Sequence, residues 1–137
     1  MTWMGWTNSL RTFTDKAGRL ITRHSRLGID TVEYTGVLTP SPLAAVTDDY
    51  APEGMSEVTV LRLASPSAAA IGGFAGGGNA ARELIVMNVG AAPITLTSQA
   101  GSSQPANRFA LPADLVVEPS GAVRLVYDPE DARWRAC

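Results

Sequence analysis

The sequence predicts an all-β protein: an antiparallel β-sandwich or barrel preceded by an extended N-terminal arm. Three observations lead there. Short apolar and β-branched runs recur in the second half at roughly ten-residue spacing, separated by Gly/Pro/Ser turns. One run, Arg82 to Val89, is apolar on both faces of a strand: Leu84 and Val86 fall on one side, Ile85, Met87 and Val89 on the other. A strand of that kind is central and covered. Finally, no convincing helical periodicity is found in the second half.

The elements follow in order. Residues 1–56 read as an N-terminal arm and connector, and residues 57–137 as the β-domain. Trp3 and Trp6 flank Met4 near the start, too much apolar area to leave in water, and they are expected to anchor the chain in a partner. From Ser9 to Leu27 two patterns compete. Leu10, Phe13, Ala17, Leu20, His24 and Leu27 lie at helical spacing, but Asp15-Lys16-Ala17-Gly18-Arg19 reads as a turn between strand-forming residues. A β-hairpin or extended arm is the preferred reading. Ile29 to Gly36 offers a short strand. Pro40, Pro42 and Pro52 then mark an extended, irregular connector.

In the β-domain, Glu57 to Leu63 is a strand and Ser65-Pro66-Ser67 a turn. Ala69-Ala70-Ile71 is a short strand, and Gly76-Gly77-Gly78-Asn79 a glycine-rich turn. Gly90 to Pro93 turns the chain after the central run, and Ile94-Thr95-Leu96-Thr97 alternates apolar with polar. These two runs read as a hairpin, one strand deep and one half-exposed. Leu115-Val116-Val117, Ala122 to Tyr127 and Arg133-Trp134-Arg135 complete the set, with tight turns at Pro119-Ser120-Gly121 and Asp128-Pro129-Glu130-Asp131. The expected core is Leu61, Leu84, Val86, Leu96, Phe109, Leu125, Tyr127 and Trp134. Asp128 and Arg133 are expected to pair across the closing hairpin.

Charge is unevenly placed. Five basic residues, Arg11, Lys16, Arg19, Arg23 and Arg26, lie between Arg11 and Arg26 against one acid, Asp15. Six acids and no base follow from Gly28 to Glu57. The first section therefore meets a charged partner or a neighbouring subunit, or else forms two solvated stretches that offset each other. With a net charge of −2, no overall field attracts nucleic acid or anionic membrane. A basic stretch without aromatic interleaving is a weak nucleic-acid signal. Ten of the eleven basic residues are arginine, which suits bidentate pairing at interfaces and equally a GC-rich genome.

No motif carries a reaction. His24 is the sole histidine and lacks a partner at catalytic spacing; it reads as a surface residue. The glycine-rich turn is not a phosphate loop, because no Lys-Ser/Thr pair follows it. Asp48, Asp49 and Glu53 lack the alternating ligands and glycine of a calcium loop, and read as a solvated acidic loop. Asp114 and Glu118 show nothing that would raise a carboxyl pKa. No catalytic, cofactor-binding or metal-binding residue is expected. Cys137, the single cysteine, forms no internal disulfide, and no run is long enough to span a bilayer. Without a signal-peptide core, synthesis and assembly in a cytoplasm are expected.

Several pieces, taken together, resemble a β-domain of virion structural proteins of tailed bacteriophages, including tail-fibre-like and other virion-surface proteins. They are Val60-Leu61-Arg62-Leu63, the glycine-rich turn, Leu84 to Gly90 ending in Asn-Val-Gly, Pro93-Ile94-Thr95-Leu96, Ala106-Asn107-Arg108-Phe109, Leu125-Val126-Tyr127-Asp128 and Arg133-Trp134-Arg135. Asp48 to Gly54 looks like the lead-in that often precedes them. The resemblance covers about two-thirds of the chain, from Leu38 onward. It implies a virion protein without enzymatic activity: a surface-mounted, trimeric capsid decoration (cement) protein, or a short tail or head fibre or its adaptor. Its partners would be further copies of itself and other coat or tail subunits. The anchor or interface set would be Trp3, Trp6, Phe13, Arg11, Arg19, Arg23 and Arg26. A sandwich that recognises host-surface glycan through Trp134 and Tyr127 is the competing binding-module reading.

Overall fold

The computed structural model describes residues 36–78 and 81–137, together with the backbone of three strands nearer the N-terminus. The chain divides into Met1–Gly36 and Val37–Cys137. In the first unit, strands β1 (Arg11–Thr14), β2 (Leu20–Ser25) and β3 (Gly28–Thr31) form an antiparallel sheet in that order. Within Ser9 to Leu27 the strand pattern, not the helical one, is found: β1 and β2 pair antiparallel with Arg11 opposite His24 and Phe13 opposite Thr22, and the turn expected at Asp15 to Arg19 lies outside the described residues.

The second unit starts twenty residues earlier than expected. Residues 37–56 are not a free connector. They supply β4 (Val37–Leu38), β5 (Val46–Thr47) and a 3-10 turn over Met55–Glu57, and they bury Leu43 and Met55 in the core. The prolines sit between these short elements, where no ladder donor is required.

Seven further strands follow: β6 (Val60–Leu63), β7 (Ala69–Ile71), β8 (Glu83–Asn88), β9 (Ile94–Leu96), β10 (Leu115–Val117), β11 (Ala122–Asp128) and β12 (Arg133–Ala136). They make two mixed sheets, one of five strands in the order β12-β11-β8-β6-β4 and one of four in the order β10-β9-β7-β5. Neither closes into a barrel.

Two expectations are corrected here. The sheets are not purely antiparallel, because β4-β6-β8 and β5-β7-β9 pair in parallel. Nor do β8 and β9 form a hairpin, since they lie in different sheets. From β4 to β9 the chain alternates between sheets at each strand, winding three times. Val37 aligns with Val60 and Val60 with Ile85, while Val46 aligns with Ala70 and Ala70 with Thr95. A local reversal would have paired β8 with β9 antiparallel; a parallel partner needs a long return, which the opposite sheet provides. Antiparallel strands β10, β11 and β12 then complete both sheets.

Alternation explains what is buried. Leu61 and Leu63, Leu84 and Val86, and Leu125 and Tyr127 face inward from the larger sheet; Ile71, Ile94 and Leu96 face inward from the smaller. All belong to one cluster. Leu61, Leu84, Val86, Leu96, Phe109, Leu125, Tyr127 and Trp134, expected in the core, are all buried.

Candidate functional site: the braced end of the β-domain and its outer faces

The glycine-rich segment after β7 is threaded between two loops. Gly72 and Gly73 are buried, and Tyr50 N–H donates to the Gly73 carbonyl while Phe74 N–H donates to that of Asn107. A Cβ on Gly72 would fall 2.2 Å from an Asp48 carboxylate oxygen, so this backbone passes where no side chain fits. Asp48 and Asp49, expected as a solvated acidic loop, brace the neighbouring loop instead. Ser102 Oγ donates to Asp48 Oδ1 at 2.8 Å. Asp49 Oδ1 accepts from the Gln104 N–H and from Asn107 Nδ2, both at 2.8 Å. Asp49 sits at φ 49°, a left-handed conformation that Asp tolerates better than most residues. Arg108 closes the loop on itself, its guanidinium donating to the Ser103 and Gly101 carbonyls.

Beneath this brace lies the aromatic core. Phe74 meets Phe109 and Trp134 edge to face, with centroids 5.2 and 6.0 Å apart, and Tyr127 meets Trp134 at 5.1 Å. Trp134 Nε1–H donates to the Phe74 carbonyl and the Tyr127 hydroxyl to the Ala106 carbonyl, so each ring satisfies its polar tip inside the protein. Tyr50 stands at the edge of the cluster, and burial pushes its phenol pKa up. Trp134 and Tyr127 are 0% and 3% exposed, so neither offers a ring to a sugar. Along β12 Trp134 points inward, and Arg133 and Arg135 lie on the opposite face.

The expected Asp128–Arg133 pair is corrected in the same place. The two are opposite in register, but the Asp128 carboxylate takes Arg135 Nε–H at 2.9 Å. Arg133 turns away, donating to Gln99 Oε1 and the Pro105 carbonyl. The Arg135 hydrogen bond, aided by the N–H groups of Asp131 and Glu130, holds the Asp128 carboxyl below the usual carboxylate range.

Sequence reading missed the buried polar residues, Asn88 and Ser103 the deepest among them. Asn88 Nδ2 donates to the carbonyls of Ala92 and Val117, both at 2.8 Å, and its Oδ1 accepts from the Gly90 N–H. It pins the crossing from one sheet to the other. Its signal was its phase: it continues the inward row of Leu84 and Val86. Ser103, 2% exposed, takes the Asp49 N–H and carried no local signal.

A cleft of about 200 Å³ opens beside the brace, lined by Ala51, Pro52, Gly54, Met55, Ser56, Ala75, Gly76 and Arg82. Arg82 is its single ionisable lining residue, and its guanidinium donates to the carbonyls of Met55, Val58 and Gly76. Among the described residues no group of three or more His, Cys, Asp or Glu could hold a metal ion. The Cys137 thiol is exposed, and its backbone N–H is tied to the Arg124 carbonyl.

The outer faces of the two sheets differ. The larger carries Arg62, Glu83, Arg124 and Arg135, with Glu83 paired to Arg124 at 3.3 Å. The four strands of the smaller contain no charged residue. Of the expected anchor set, Trp3, Trp6, Arg19 and Arg26 lie outside the described residues, as do the side chains of Arg11, Phe13 and Arg23, whose backbone is on β1 and β2. No protein-family model, no curated protein and no solved structure matches the chain.

Proposed function

We propose that the chain is a virion structural protein of a tailed bacteriophage: a surface-mounted, trimeric capsid decoration protein, anchored to neighbouring subunits by its N-terminal section. The observation that carries this reading is the sequence resemblance from Leu38 onward. Its fit with the fold supports it. The resembling pieces are the residues that lock the β-domain together: Asp49 on Gln104 and Asn107, Asn88 on Val117, Arg108 on its own loop, Trp134 on Phe74. A domain so braced, with its aromatics inside, suits a module whose work is to hold shape and present surfaces.

Gold-labelled antibody against the Val37–Cys137 domain, applied to purified phage particles, tests the reading. Label spread over the capsid is the expected result. Label confined to the tail or to one vertex would favour the fibre or adaptor reading. Particles without label, and without the protein by mass spectrometry, would overturn both.

A further inference from the structure

We draw no further inference here: the strongest candidate, the row of Val46, Ala70, Thr95 and Val116 on the outer face of the four-stranded sheet, is an unpartnered face, and nothing in the structure shows what covers it.

Discussion

The indole N–H of Trp134 donates to the backbone carbonyl of Phe74 at 2.9 Å, joining the last strand to the glycine-rich segment sixty residues earlier. Both residues are fully buried. The carbonyl has no access to water, so the bond's value lies chiefly in what its loss would leave unpaired. Trp134→Phe removes the donor and part of the ring. It is expected to cost about 2–4 kcal/mol, from one orphaned carbonyl plus a small cavity. Urea unfolding measures it, and a loss under about 1 kcal/mol would mean that Phe74 finds another donor.

Gly77 and Tyr127 are in contact of a different kind. A Cβ on Gly77 would fall 2.2 Å from the Tyr127 ring, which is held in place by its hydroxyl bond to Ala106. Neither side can give way cheaply. Gly77→Ala is expected to destabilise by about 1–3 kcal/mol through overpacking. Combined with Tyr127→Ala, which removes the obstructing ring, the same substitution is expected to cost much less. A double-mutant cycle reads the coupling, and strictly additive losses would show that the clash is relieved elsewhere.

Strands were legible in the sequence where alternation was long enough to read. Ala69–Ile71 and Leu115–Val117 lie where the pattern places them, and the Leu84/Val86 face is buried. Pairing was not legible. Val60 and Ile85 are neighbours across a parallel ladder, and nothing local marks residues so far apart in sequence as partners. The Gly90–Pro93 turn looks like a hairpin turn from its composition; the chain instead crosses there to the other sheet, with the buried Asn88 side chain bonded across the crossing. Strands of two residues, Val37–Leu38 and Val46–Thr47, are too short to show a period, so the prolines around them dominated the reading. Asp48 and Asp49 looked solvated because their partners, Ser102 to Asn107, come more than fifty residues later.

Asn88 gives the third prediction. Its amide makes three hydrogen bonds at 1% exposure, and two of its partners are backbone carbonyls. Asn88→Leu nearly preserves volume but leaves those carbonyls and the Gly90 N–H without their partner. We expect a loss of about 3 kcal/mol or more, the sum of several unmet groups. Asn88→Asp is expected to be at least as damaging at neutral pH, because a carboxylate cannot donate to the Ala92 and Val117 carbonyls. Thermal unfolding of both variants measures this. Near-wild-type stability of either would show that the crossing is held by its backbone alone.

The Asp128 carboxyl is held below the usual carboxylate range, first by the hydrogen bond from Arg135 and further by the N–H groups of Asp131 and Glu130, with desolvation acting against them. Its pKa is thus lower in the folded chain than in the unfolded one. Such a group adds stability above its unfolded pKa, about 3.9, and loses that contribution as pH falls through the folded value. Wild type is therefore expected to lose stability faster than Asp128→Asn as pH drops from about 5 towards 2, with the two curves converging at the acid end. The effect is small, because Arg135 is half-exposed, and it shrinks further in high salt. Urea midpoints for both proteins across that range, at low and high salt, provide the measurement. Parallel curves at low salt would show that the Asp128–Arg135 pair contributes nothing to folding in solution.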